Sequence, residues 1–200
     1  MDNDKTLQSY ESNINQYNSA AVPKVWGSVK EWLDISLSML PTKAHILEIG
    51  SAHGRDADYM ESQGYKVDRT DAVKGFVDYQ IKEGHKARVL NVLTDDFGGP
   101  FEMVYANAVL LHFNVKQVEL ILKKVRQSLK SNGIFAFSVK IGDGSNWSDS
   151  KIGAPRFFTY WREKPLRQLI EKSGYIIEYF EEGTTGHNKS DWYHVIAKAQ

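Results

Sequence analysis

From position 44 onward, short β-branched apolar runs alternate with longer stretches in which apolar residues recur at helical spacing. That alternation predicts strands joined by crossover helices over a parallel sheet, an α/β organisation. The apolar runs place strands at 44–49, 66–70, 87–92, 101–106 and 133–139, with helices at 55–62, 73–82 and 115–130 between them. In the last helix Val118, Ile121, Leu122, Val125 and Leu129 fall on one stripe. Before Pro41, the residues Val25, Val29, Trp32, Leu33, Leu37 and Leu40 make a similar stripe, which predicts a helix packed on the sheet. After a further helix over 163–173, ended by Gly174, two strand-like runs follow at 175–181 and 192–197. A loop containing Gly183, Gly186 and Asn188 joins these two, so they are expected to pair antiparallel. The stretch 142–155, rich in Gly, Ser and Asp, reads as a loop beyond a strand's C-terminal end, where α/β proteins place their sites.

Composition narrows the class. A chain of 200 residues with 42% hydrophobic residues suits one domain with a substantial core. Lys plus Arg and Asp plus Glu both total 25, so no chain-wide basic field draws it to nucleic acid or anionic lipid. There is no cysteine, which excludes disulfides, thiolate metal ligands and thiol nucleophiles. The start, Met1-Asp2-Asn3-Asp4-Lys5, is polar and acidic, and no apolar run reaches membrane-spanning length. A cytoplasmic protein, neither exported nor membrane-bound, is expected.

The chemistry centres on Ile46-Leu47-Glu48-Ile49-Gly50-Ser51-Ala52-His53-Gly54-Arg55-Asp56, where an apolar strand turns sharply into a helix. Small residues in such a turn let backbone amides approach a ligand. A dinucleotide fingerprint starting at Gly50 would want glycine at 52 and 55, but Ala52 and Arg55 stand there and crowd a pyrophosphate. A triphosphate loop would end in Gly-Lys-Ser/Thr, whereas Gly54 is followed by Arg55-Asp56. S-adenosylmethionine remains: it needs donors for its carboxylate and acceptors for its ammonium and ribose diol. Glu48 closes the first strand, and Asp71 closes the second, where an acid can accept from both ribose hydroxyls. The bland alternative makes Gly50 and Gly54 ordinary turn glycines and Asp71 a helix N-cap.

With these residues in view, the run resembles motif I of class I S-adenosylmethionine-dependent methyltransferases, and the likeness continues along the chain. Asp71-Ala72 resembles the acidic motif of the second strand, and Asn91-Val92 falls where the family often has an acid facing the adenine amine. Tyr105-Ala106-Asn107-Ala108-Val109-Leu110-Leu111-His112 resembles the fourth-strand motif, and Leu129-Lys130-Ser131-Asn132-Gly133-Ile134-Phe135 the turn into strand five. Departures are Ala52 for a usual glycine, Asn91 for aspartate and Ser131-Asn132 for Pro-Gly. The resemblance is closest to small bacterial members. It implies a Rossmann-like methyltransferase fold, a seven-stranded mostly parallel sheet with the last strand antiparallel and helices on both faces. It also implies one domain over 1–200, with 1–40 as an N-terminal helical cap. The donor set it implies adds Tyr17 from that cap, together with Asn107, Ala108 and Leu110.

The acceptor side is less constrained, since in-line methyl transfer asks mainly for alignment and exclusion of water. His112 is the candidate base, with a loop-orienting histidine as the alternative. Lys140, Arg156, Tyr160 and Trp192 are placed by the resemblance over the acceptor, where Lys140 and Arg156 suit an anion; the alternative is a solvated strand end and a surface arginine. Phe157-Phe158-Thr159-Tyr160-Trp161 reads as a pocket wall or, by preference, as the hydrophobic staple of the next helix. Tyr10 and Tyr17 share a helical face in a segment that, by the resemblance, closes over the cofactor, and they read by slight preference as tyrosines packing on the sheet. Lys123, Lys124, Arg126 and Lys130 read as a solvated helix face. The histidines show no paired ligand spacing, so no metal is expected. Ala108 and Val109 stand where base-amine methyltransferases carry two prolines, which disfavours DNA. The expected partner is a small-molecule methyl acceptor, with tRNA as the enzymatic rival and an idle S-adenosylmethionine-binding module as the rival of another class. The expected state is a monomer or homodimer.

Overall fold

The protein was analysed as a computed structural model, which describes residues 2–184 and 191–200. Five strands run parallel: β1 (His45–Ile49), β2 (Lys66–Asp71), β3 (Ala87–Val89), β4 (Phe101–Ala106) and β5 (Leu129–Ile141). Their pairings give the order β3-β2-β1-β4-β5. Two more strands extend the sheet beyond β5. These are β8 (Tyr175–Gly183) and β9 (Trp192–Ala199). β9 lies antiparallel to β5, from Ile134 opposite Lys198 to Lys140 opposite Trp192, and β8 pairs antiparallel with β9. The expected seven-stranded, mostly parallel arrangement with an antiparallel last strand is therefore present, as part of a sheet of nine strands among the described residues. Of the expected connecting loop, Gly183 closes β8, while Gly186 and Asn188 lie outside the described residues.

The alternation of side chains along central strands builds two cores. On β4, Val104 and Ala106 point to one face, Met103 and Tyr105 to the other. The first face packs under helix α6 (Val115–Ser128), whose buried stripe is Val118, Ile121, Leu122 and Val125, and under α7 (Glu163–Lys172) through Leu166 and Ile170. The second face packs under α3 (Gly27–Ser38) through Trp32, Leu33 and Leu37, and under α4 (Arg55–Ser62) through Met60. α6 starts sharply because Asn114 and Gln117 form a reciprocal capping box. Helix α5 (Lys74–Lys82) links β2 to β3, and two short helices, α1 (Asp2–Glu11) and α2 (Ile14–Ser19), lie over the C-terminal ends of the parallel strands. No helix among the described residues is long and apolar enough to cross a membrane.

Three local expectations need correction. β3 stops at Val89 rather than 92, because Leu90 to Val92 leave the ladder and curl into a loop in which Asp95 accepts from the Asn91 amide and Asn91 Oδ1 from the Leu93 amide. The segment after Pro155 is not a helix staple: Arg156–Trp161 is strand β7. It pairs with β6 (Ser145–Ser148) as a hairpin and with the end of β5 at Lys140 and Ile141. The 142–155 stretch therefore contains a strand. The run of aromatic residues is extended because its backbone is held by two neighbours at once, which outweighs its local resemblance to a helix start.

Candidate functional site

The turn after β1 is built for close approach. Gly50 has φ +72° and Gly54 has φ +90°, both in the left-handed region that glycine adopts without strain. A Cβ on Gly50 would lie 2.5 Å from Val109 Cγ2, and one on Gly54 2.7 Å from Arg69 Nη1. Gly50→Ala is expected to cost about 2 kcal/mol or more, from the positive φ and the contact with Val109 together. Urea unfolding checks this, and an unchanged midpoint would mean that the turn relaxes freely.

Two hollows flank this turn, a narrow one of about 100 Å³ and a wide one of about 390 Å³. They share a wall made by Tyr10, Tyr17, Gly50, Ala52, Asn107 and His112. Tyr10 and Tyr17 come from α1 and α2 and meet edge to face at 5.6 Å, with Tyr17 against Phe76 at 5.0 Å.

The narrow hollow is lined by the apolar side chains of Ala72, Phe76, Leu90 and Val92, with Asp71 and Asn91 as its polar rim. Asp71 closes β2 and is buried. Its Oδ2 accepts from the Ala52 amide at 2.9 Å and its Oδ1 from the Val73 amide at 2.8 Å. Asp71 thus ties the β1 turn to the start of α5, the local role that a capping residue would play, while still facing the hollow. Burial raises its carboxyl pKa to about 6, against the lowering effect of those amides.

Beneath the wide hollow, Asp56 holds three groups. Its Oδ1 accepts from Arg55 Nε at 2.6 Å, and its Oδ2 from Tyr105 OH at 3.1 Å and Asn107 Nδ2 at 2.9 Å. Ser138 Oγ donates to Asn107 Oδ1 and accepts from the Ala108 amide, so Asn107 is fixed from both ends. Glu48 is buried, and burial together with the nearby Asp56 charge raises its carboxyl pKa well above the usual range. Its Oε2 has no hydrogen-bond partner. Ser51, His53 and Arg55 complete this floor.

Across the wide hollow a hydrogen-bonded chain runs from the Arg156 side chain through Tyr10 and His112 back to the Phe157 carbonyl of β7. Arg156 Nη1 donates to Tyr10 OH at 3.3 Å, and His112 Nε2 lies 2.9 Å from the same hydroxyl. His112 Nδ1 lies 2.7 Å from the Phe157 carbonyl, which can only accept. The ring proton therefore sits on Nδ1, and Nε2 accepts from Tyr10. Burial lowers the His112 pKa to about 4, so the imidazole is neutral near pH 7. Its carbon-bound ring protons are expected to show no titration by NMR between about pH 8 and about pH 5. A midpoint near the ordinary histidine value would contradict this environment. Lys151 Nζ lies 3.9 Å from the Tyr17 ring centroid, and burial lowers its pKa to about 8, helped by the Arg156 and Arg55 charges. Lys140 lies 3.5 Å from Asp191 and over the Trp192 ring.

Most of the residues singled out from the sequence converge here. Three lie elsewhere. Gly54 caps α4 behind the hollows, against Arg69 and Gln80; Leu110 points into the core beneath α6; and Tyr160 packs on Gly142, with its hydroxyl on Asn146. Phe158 stands in the wide hollow, in keeping with its reading as a pocket wall. What sequence reading set second or passed over is Tyr10 as a wall of both hollows, and Lys151 and His194 in the wide one. The shared face of Tyr10 and Tyr17 was the available signal for the first; nothing in the local sequence marks the others. Outside the hollows, Asp58, Glu61 and His85 cluster as metal ligands do, but Arg69 Nη2 occupies that cluster, 2.6 Å from Asp58 and 2.7 Å from Glu61.

A family model described as a methyltransferase domain matches residues 24–179. No curated protein matches the chain. Among solved structures, the chain is similar to a SAM-dependent methyltransferase of Methanosarcina mazei, with TM-score 0.72 and 20% identity over 82% of this chain and 96% of that one. It is also similar to the 1,6-didemethyltoxoflavin-N1-methyltransferase of Burkholderia thailandensis, solved with 1,6-didemethyltoxoflavin and S-adenosylhomocysteine: TM-score 0.69, 20% identity, 85% of this chain and 77% of that one. A TehB-like SAM-dependent methyltransferase of Corynebacterium glutamicum gives TM-score 0.66 and 18% identity over 84% of this chain and 87% of that one.

Proposed function

Because the chain belongs to the methyltransferase-domain family, we propose that it transfers a methyl group from S-adenosylmethionine to a small molecule seated in the wide hollow. The observation that carries this reading is the shared wall: a narrow, apolar pocket with one buried acid meets a wider polar cleft at Tyr10, Asn107 and His112. The residues present fit the donor. Phe76, Leu90 and Val92 suit an adenine, Asp71 suits a ribose diol, and the missing Cβ of Gly50 leaves room beside the turn. The orphaned Oε2 of Glu48 suits the ammonium of a zwitterionic amino acid, with the Ser51 and Ala52 amides tied back to the Thr70 carbonyl and Asp71 to shape the turn, His53 beside them, and Arg55 and Asp56 fixing the floor.

When bound, S-adenosylmethionine supplies an electrophilic methyl on a sulfonium. The chain's own work is to hold the acceptor in line and to exclude water. Asn107 and Ala108, locked by Asp56 and Ser138, form a rigid floor at the junction. His112 takes part through Tyr10, because its Nε2 already holds the Tyr10 hydroxyl. Lys140, Arg156 and Trp192 line the acceptor side. In this reading residues 1–40 act as the cap of a single domain, and the setting is cytoplasmic, as expected from the sequence.

Calorimetry with S-adenosylmethionine and S-adenosylhomocysteine tests the donor site, where no saturable binding would overturn the reading. A labelled-methyl assay over small-molecule pools, tRNA and protein tests the acceptor. Incorporation into tRNA alone would overturn the small-molecule part, and incorporation into none would favour an idle binding module.

A further inference from the structure

Arg156 is a buried cation, 4% exposed, with no ion-pair partner among the described residues. Its one side-chain hydrogen bond among the described residues runs from Nη1 to Tyr10, while the guanidinium lies near the Tyr10 and Phe158 rings at 5.6 and 5.0 Å. Nε is buried without a partner. In a guanidinium, Nε and Nη2 share one edge, the edge that pairs with a carboxylate through two parallel hydrogen bonds. The contact with Tyr10 uses the other nitrogen and leaves that edge unused.

The rest of the cleft points the same way. Trp192 Nε1, which can only donate, is also buried without a partner along this hollow. Among the described residues the other cations divide into paired and unpaired: Arg55 sits on Asp56, Lys140 faces Asp191, and Lys151 lies over the Tyr17 ring without a carboxylate partner. Glu48 lies on the floor of the hollow, where burial and the neighbouring Asp56 raise its carboxyl pKa and disfavour its charged form. A sulfonium donor would add a further positive charge to a cleft already holding Arg156 and Lys151. Like charges desolvated together are unfavourable until an anion joins them.

We propose that the methyl acceptor is a small organic acid whose carboxylate seats on the Nε–Nη2 edge of Arg156, in the cleft that the Trp192 indole also lines. This rests on the methyltransferase reading above, and the two are separable. Calorimetric binding of S-adenosylhomocysteine tests that reading alone, whereas the acceptor class is tested on both free and S-adenosylhomocysteine-loaded protein with acetate as the probe. In ¹⁵N-edited NMR, acetate should shift the Arg156 Nε–H and Trp192 indole resonances saturably, and acetamide should not. Arg156→Gln should abolish the response, and Arg156→Lys, which keeps the charge but loses the fork, should weaken it by about tenfold. Both should leave S-adenosylhomocysteine affinity within about threefold of the parent. The proposal is overturned if acetate produces no saturable shift, if acetamide acts like acetate, or if the response survives Arg156→Gln. A loss of about tenfold or more in S-adenosylhomocysteine affinity on Arg156→Gln would assign the edge to the donor's own carboxylate instead. Tighter binding of inorganic phosphate than of acetate would assign it to a tetrahedral oxyanion.

Discussion

Replacing Asp71 with alanine is expected to weaken S-adenosylhomocysteine binding by about two orders of magnitude, the effect of losing two hydrogen bonds to a buried charged acceptor. The carboxylate also holds the Ala52 and Val73 amides, so the variant loosens the turn that shapes the pocket. The pH dependence gives a sharper test. The folded-state pKa of about 6 lies above the ordinary 3.8, so the folded protein binds this proton more tightly than the unfolded chain does. Ionised Asp71 therefore costs stability that is fully felt above about pH 6 and vanishes below about pH 4, of order 3 kcal/mol. Ligand affinity runs the other way, because the diol needs the ionised acceptor. Calorimetry from about pH 8 to about pH 5 should show affinity falling through about pH 6 in the parent, with that step absent in Asp71→Ala. A parent profile flat across this range would contradict the assignment.

Trp32→Ala should produce the largest loss of stability, roughly 3–5 kcal/mol, by opening a cavity in the second core. The indole is fully buried, stacks at 5.0 Å on Tyr105 and at 4.9 Å on His194, and donates from Nε1 to the Val195 carbonyl. Removing it takes away that hydrogen bond and leaves both rings facing a void. Urea unfolding reads the loss directly, and a change below about 1 kcal/mol would show that α3 repacks. A second readout follows from His194, whose pKa burial lowers to about 4. A histidine depressed on folding contributes stability above its unfolded value of about 6.5 that is lost as pH falls through the window down to about 4. Water reaching the ring in the variant should raise that pKa and reduce this share of the acid sensitivity.

Much of the architecture was legible in the chain because its signals were local and agreed with one another. The bounds of α4 follow from Gly54 and the helical spacing after it, and those of β4 from a clean apolar run. Where a segment's conformation is set by distant partners, the sequence misleads. Leu90 and Val92 continue an apolar run but line a pocket, since Asp95 and Asn91 capture the amides that a strand would need. Phe157 to Trp161 read like a helix entrance until β5 and β6 claim their backbone. For the site, the residues around the β1 turn and Asp71 announce themselves by position at strand ends. Tyr10 does not, because its meaning depends on His112 and Arg156, 102 and 146 positions away along the chain.

The placement of α1 has a practical consequence for how the protein is handled. A ten-residue helix is marginal in isolation and owes its order to what it docks on. Here the docking points are few and specific: Thr6 Oγ1 accepts from the Phe157 amide, Ser9 Oγ donates to the Pro155 carbonyl, and Glu11 accepts from the Gly75 amide. Asn3, Thr6 and Tyr10 at the same time line the narrow hollow. A purification tag or fusion joined at Met1 would thus bear on a wall of the site itself, whereas one joined after Gln200, anchored beside Gly174 and Arg126, would not. Ligand affinities measured with amino-terminal and carboxy-terminal tags should accordingly be treated as measurements on two different pockets.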